Sequence, residues 1–192
     1  MKAKEEQILL TAQRLFYEKG IAATGMEEIA EAVPVSKMTI YKYFGSKEGL
    51  LQKVIDHLVD EASCDFKKMM DESKDTLELL HKMLHYRKMD DISMLFLNEL
   101  VSDYPHIAEK IREYSEQHII TSFENALFKG QQMGQIRKDI SPHLLVMYLI
   151  SMKQFLFQSG KLENIMNMRT LSEQMLSLLF HGIVANPADL RE

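Results

Sequence analysis

The chain has 192 residues, is 46% apolar and carries 23 basic against 28 acidic side chains, a formal net charge of −5. That is enough apolar material for a sizeable core in one domain or two small ones, and the negative sum argues against general adhesion to nucleic acid. The single cysteine, Cys64, excludes an internal disulfide and fits a reducing compartment, no signal-peptide pattern follows the charged Lys2–Gln7, and the most apolar run, Leu144–Met152, is too short to span a bilayer.

Scarce proline and fourteen methionines favour helices. The first is predicted from about Ala3 to Lys19, with Ile8, Ala12, Leu15 and Phe16 in one apolar stripe and Gly20 as the residue that ends it. The second begins near Met26, where Met26, Ile29, Ala30 and Val33 fall at i, i+3, i+4 and i+7. Its cap, Gly25, suits the backbone geometry but has no hydroxyl; Thr24 is the expected substitute for a phosphate contact. Pro34 ends the helix, because it lacks an N–H and pushes Val33 out of the α region.

A third helix is predicted from Ser36, a good N-cap, to Phe44, with Ile40, Tyr41 and Phe44 on its inner side. Two short helices around so tight a corner make a helix-turn-helix, and a short basic helix held out on such a corner fits a DNA major groove. Lys37, Met38 and Lys42 are the candidates for base edges: lysine donates to guanine O6/N7, and a methionine methyl can meet a thymine methyl. Thr39, Tyr43 and Lys47 are the candidates for phosphate, and Tyr41 divides its ring and hydroxyl between core and DNA. Ser46 caps the fourth helix, so its first amides add a favourable dipole end beside Lys47.

These residues carry a resemblance to the TetR/AcrR family of bacterial transcription regulators. Ile29-Ala30, Val35-Ser36, Thr39-Ile40-Tyr41, Tyr43-Phe44, Lys47-Glu48 and Leu50 stand in the register of the family's I-A…V-S…T-L/I-Y…Y/H-F…K-E…L pattern. Leu15-Phe16, Lys19-Gly20 and Thr24 match upstream. The resemblance covers about the first quarter of the chain and departs at two places. Gly25 stands where the family often has Ser or Thr. Pro34 stands where it usually has glycine with positive φ; since proline prefers φ near −65°, the turn is expected to take another path.

The charge distribution agrees with a DNA-reading front end. Residues 1–50 hold seven basic and seven acidic side chains, so the whole −5 lies in residues 51–192. Lys37, Lys42, Lys47 and Lys53 gather after the corner, while the acids cluster before it.

Helix 4 is predicted from Lys47 towards Met70, with Leu50, Leu51, Val54, Ile55, Leu58, Val59 and Ala62 in stripe. It would join the two halves and transmit a shift in the back half as a swing of the front. Further helices are expected at 76–88, at 90–103 with Asp90 or Asp91 as cap, and at 105–133 with Pro105 in its first turn and a weak point at Gly130. The last two are expected from Ser141-Pro142 to about Gln158 and from Asn167 to His181, closed by Gly182. The expected fold is thus all-α: a three-helix helix-turn-helix domain over 1–47, then a larger helical effector-binding and dimerisation domain over 48–192, about nine helices in total.

The helix after Ser141 is apolar all round, which places it against more than its own chain. We expect it to pair with the last helix in a four-helix dimer contact, as the resemblance also implies; internal core of a monomer is the other reading. Tyr86, Met94, Asn98, Tyr114, His118 and Met147 are the candidate pocket residues. Asn98 and His118 are included because a polar group on an apolar face needs a partner. His81 and His85 stand at i, i+4, but no third ligand completes a metal site. No nucleophile elbow, phosphate-binding glycine loop or zinc spacing is present, so neither catalysis, metal nor cofactor is expected.

The resemblance implies a cytoplasmic, nucleoid-associated homodimer: a ligand-responsive repressor with a pseudo-palindromic operator and a small-molecule effector as its partners, and no membrane. The alternatives are a DNA-binding adaptor whose back domain holds a protein partner, and a helical enzyme or scaffold with an idle helix-turn-helix.

Overall fold

The computed structural model describes residues 3–84, 86, 92–114, 117, 120–148, 151 and 168–183. The chain is all-α. Its helices are α1 (Ala3–Lys19), α2 (Met26–Ala32), α3 (Lys37–Phe44), α4 (Lys47–Glu72), α5 (Thr76–Leu84), α6 (Met94–Asp103), α7 (Pro105–Tyr114), α8 (Thr121–Gln132), α9 (residues 142–148) and α10 (Met168–Ile183). No helix among the described residues is long and apolar enough to cross a membrane.

Packing divides the chain into two compact units, one formed by Met1–Asp65 with Lys88–Tyr114 and the other by Phe66–Arg87 with Ser115–Glu192. This is a division by contact, whereas the expected boundary at 47/48 is a division by role.

In the first unit, α1 turns Ile8, Ala12, Leu15 and Phe16 inward, α2 adds Ile29 and Ala30, and α3 adds Ile40 and Phe44. Leu50, Leu51, Val54 and Ile55 of α4 and Phe96 and Leu100 of α6 complete the same core. Each of these side chains larger than alanine removes enough apolar surface to contribute about 1.5–3 kcal/mol. Tyr17 and Phe96 meet edge to face, with ring centroids 5.0 Å apart.

The join after α1 shows why position 20 is glycine. Gly20 sits at φ +87°, and a Cβ there would lie 2.8 Å from Glu99 Oε2 and 2.9 Å from Leu95. The Glu99 carboxylate accepts the backbone N–H groups of Ile21 and of Ala22, the latter at 3.1 Å. A carboxylate from α6 thereby satisfies two backbone donors of the turn that follows α1.

The corner between α2 and α3 corrects the sequence expectation. Val33 is the C-cap of α2, and the N–H of Val35 bonds the Ala30 carbonyl at 3.0 Å. That is the long bond of a Schellman cap, whose next residue normally takes positive φ and donates to the carbonyl two residues inside the helix end. Pro34 occupies that position at φ +28°. The turn therefore keeps the left-handed path instead of finding another, because Val35 packs into the core beyond it. Proline cannot supply the second bond to Glu31, and its ring is far from the φ near −65° that it prefers.

In the second unit, Leu80, Phe123, Leu127, Ile136, Leu145, Val146 and Ile183 form the core. Gly130 is not a weak point. It is buried inside α8 because Thr76 of α5 comes so close that a Cβ would lie 2.9 Å from it. Thr76 Oγ1 also donates to the Ala126 carbonyl at 3.0 Å. Buried Gln131 donates to the carbonyls of Arg137 and Ile140 at 2.7 and 2.6 Å, closing the loop after α8.

Other boundaries also differ from the sequence reading. The stretch 105–133 forms two helices, α7 and α8, and the described positions between them, Gln117 and Ile120, lie in wider π-helical turns. The cap of α6 is Ser93, whose Oγ accepts from Phe96 N at 3.2 Å; Asp90 and Asp91 lie outside the described residues. Gly182 lies within α10 rather than closing it, and its carbonyl accepts from Arg137 Nη1 at 3.0 Å. Of the expected extension of α5 to 88, Tyr86 is described and is not helical, its N–H bonding the Met83 carbonyl at 3.3 Å; residues 85, 87 and 88, all but Ser151 of α9 beyond Tyr148, and the tail after Ile183 lie outside the described residues.

Pro34→Gly is expected to stabilise the protein. It restores the missing N–H and removes about 1–3 kcal/mol of strain, set against roughly 1 kcal/mol of extra unfolded-chain freedom. A melting curve should move up by about 2–4 °C for each kcal/mol retained; an unchanged or lower midpoint contradicts the strained corner.

Candidate nucleic-acid interface

Ser36 opens α3 as the spacing predicts: its Oγ accepts from Thr39 N at 3.2 Å. Ile40 is fully buried and Phe44 nearly so, while Tyr41 and Tyr43 pack partly against the same core. These anchors fix the rotation of the helix about its axis. Met38 (75% exposed) and Lys42 stand on the opposite face, while Lys37, also exposed, opens the helix on the side of Ile40 and reaches Glu27 of α2.

The three lysines differ. Lys42 has no ion pair among the described residues and stands in water. Lys37 is paired with Glu27 of α2, and its Nζ also lies 5.8 Å from the centre of the Tyr41 ring. The Glu27 carboxyl is held below the usual range chiefly by its hydrogen bond from Lys37, and the Lys37 ammonium is held above its usual value by the same bond. At neutral pH both are charged.

Lys47, at the start of α4, is half-buried and donates to the Ala22 carbonyl at 3.4 Å. Burial pulls its pKa down, and the nearby Glu99 pulls it back up. Lys47 and Glu99 thus hold Ala22 by its carbonyl and its N–H. Ser46 caps α4 as expected, with Oγ accepting from Gly49 N at 2.9 Å.

Thr39 is half-buried and its hydroxyl lies 2.8 Å from Ser36 Oγ, with either able to donate. Thr24 has to be corrected. It is fully buried, and its hydroxyl donates to the carbonyls of Gly20 at 2.8 Å and Leu15 at 3.2 Å. It ties the end of α1 to the start of α2, and no side-chain atom is left to meet a phosphate. Gly25 caps α2 without a side-chain bond, so no hydroxyl faces out at either position.

The described pocket candidates are divided between the two compact units. Met94, Asn98 and Tyr114 belong to the first compact unit, and Tyr86 and Met147 to the second. His118 lies outside the described residues, as does His85. Asn98 is exposed, so water satisfies its amide and the argument for a ligand partner lapses. Met147 is 44% exposed, and Tyr86, Met94 and Tyr114 are half-buried.

Two side chains escape a reading of the sequence. Glu27 is ten positions from Lys37, and nothing local marks the pairing. Glu99 is legible in principle as a lone acid in the apolar stretch Leu95–Val101, where a carboxylate needs donors.

Residues 8–54, from α1 into α4, match the model of bacterial regulatory proteins of the tetR family. The chain is 26% identical over 187 residues to the uncharacterized HTH-type transcriptional regulator YvaF of Bacillus subtilis, covering 95% of this chain and 96% of that one. It is 22% identical to the HTH-type transcriptional repressor DhaR of a Mycobacterium species, over 92% and 90% of the two chains. Among solved structures, a regulator from Saccharomonospora viridis in complex with choline shares the fold with a TM-score of 0.82 at 18% identity, over 97% of this chain and all of that one.

Thr24→Val should cost about 1 kcal/mol through the two carbonyls it leaves without their donor, while DNA affinity per folded molecule stays at the parent value. Chemical denaturation and a binding isotherm on the same preparation check both halves.

Proposed function

We propose that this chain, a DNA-binding transcriptional regulator of the TetR/AcrR type, is a ligand-responsive repressor that grips a pseudo-palindromic operator as a homodimer. The observation that carries the DNA contact is the outward face of α3. Lys42 and Met38 stand there exposed, on a helix whose rotation is fixed by buried Ile40 and Phe44. Met38 and Lys42 meet base edges in the major groove, and Lys37 does so when released from Glu27. Thr39 and Tyr43 meet phosphates, Tyr41 offers its hydroxyl, and Lys47 acts mainly by holding the α1–α2 loop in place. Thr24 is left out of this set.

Dimerisation through α9 and α10 is supported by the surface of the second unit. Leu145 and Val146 face its core, while Leu144 (62% exposed), Met147 and Tyr148 (51%) face outward on α9, and Leu178 of α10 is 76% exposed. So many large apolar side chains left in water on two helices need a partner, and a second copy supplies the same face. One eight-residue helix reads few bases; two copies read a half-site each.

Repression and response to a small organic effector are the finer parts of the proposal. The similarity to a protein named as a repressor, and the choline held by a protein of the same fold, support them. Effector binding releases DNA only if the effector favours the non-binding state. Within the first unit half-buried Met94 and Tyr114 remain candidates for contact with it, and within the second half-buried Tyr86 is a separate one; Asn98 and Met147 are left out because they face solvent.

Two measurements test this reading. In a gel shift on the intergenic DNA upstream of the gene, Lys42→Ala is expected to weaken binding by about 1–3 kcal/mol, the worth of a lost base contact. Tyr43→Ala should weaken it as well, and equal binding by both variants and the parent removes the assigned face. Leu144→Glu combined with Leu178→Glu should convert a dimer into a monomer in sedimentation at micromolar concentration; a parent that sediments as a monomer sinks the dimer.

A further inference from the structure

The ion pair between α2 and α3 has a consequence for DNA recognition. Lys37 lies in the first turn of the outward-facing helix, and Glu27 lies in the first turn of α2. The two are joined by a direct hydrogen bond. The Lys37 ammonium also lies over the Tyr41 ring, 5.8 Å from its centre. Both partners are well exposed, 43% for Lys37 and 65% for Glu27, so the pair adds little to folding. It does set the local charge. Of the exposed face 37–42, Lys37 and Lys42 are the cations, and one of them already has its counter-ion.

We propose that Glu27 is a specificity-determining residue, a built-in counter-charge that holds Lys37 back from phosphates and yields it only to a base edge with well-placed acceptors. This rests on the reading of α3 as the DNA-reading helix. On a duplex of unrelated sequence, Lys37 gains nothing by leaving a carboxylate for a phosphate, since both are hydrated oxyanions. The pair stays closed, and Lys37 displaces no counter-ion from the DNA. At the matching site, two acceptors such as guanine O6 and N7 offer the ammonium more than one partner, and the exchange becomes favourable.

The test uses the full-length protein, a duplex selected by the parent from a randomised pool, and a scrambled duplex of the same length. Affinities are measured across a salt series for the parent, Glu27→Gln, Lys37→Ala and the double variant, after equal melting curves show that all are folded. For the parent, Lys37→Ala should leave affinity and salt slope on scrambled DNA unchanged while weakening the selected duplex at least several-fold. Glu27→Gln should steepen the slope on scrambled DNA by about 0.9, which is roughly threefold in affinity over about a fourfold change in salt. The ratio of selected to scrambled affinity should fall accordingly. Lys37→Ala added to Glu27→Gln should return the scrambled slope to the parent value. The proposal is overturned if Glu27→Gln leaves both slope and ratio as they were, or if Lys37→Ala alone lowers the scrambled slope, since Lys37 would then already be free. A parent that selects no duplex at all overturns the DNA-binding reading itself, a different result from either of these.

Discussion

Ile40 and Phe44, four residues apart on an eight-residue helix, are both driven into the core that α1, α2 and α4 build. A helix pinned along one side cannot turn about its axis, so their burial decides which side chains stay outside. Met38 and Lys42 are left on the free face because they lie across the helix from these two anchors. The energy for this comes from apolar burial, but its effect is orientational: recognition of a duplex needs side chains held at fixed angles, not merely present. The same core takes in α6, whose Glu99 fastens the loop between α1 and α2, so the anchoring surface extends well beyond the three helices that carry the motif.

The corner between α2 and α3 shows how firmly this packing dominates. Proline is a poor choice for a position at positive φ, and it forfeits a bond of the cap it occupies. The turn holds its path because the residues on both sides, Ile29 and Ala30 before it and Val35 and Ile40 after it, are already committed to the core. Local preference loses to several simultaneous contacts, the usual outcome when one residue opposes many.

Charge is arranged for restraint as much as for attraction. The first fifty residues are neutral overall, and the acids are not merely solvating: Glu18, Glu27 and Glu28 each take a specific cation. Arg14, Lys19 and Lys37 are therefore compensated before DNA arrives. An acidic body with a largely self-neutralised front binds through the few groups left free, which favours position over adhesion.

Helical periodicity and capping residues are enough, from the chain alone, to place α1 to α4 with their caps, the inward residues of each, and the family pattern, because these depend on neighbours three or four positions away. The later helices are less legible. The chain alone points to Asp90 or Asp91 where Ser93 caps α6, to Gly130 as a weak point and to Gly182 as an end; a glycine admitted by a close neighbour, as Gly130 is by Thr76, looks like one that stops a helix. Whether Thr24 faces water or two carbonyls, whether Lys37 is free or held by Glu27, and how Glu99 comes to serve Ile21 and Ala22 are decided only by tertiary structure. Each depends on which distant groups the packed helices bring within about 3 Å, the reach of a hydrogen bond, and no local pattern encodes that distance.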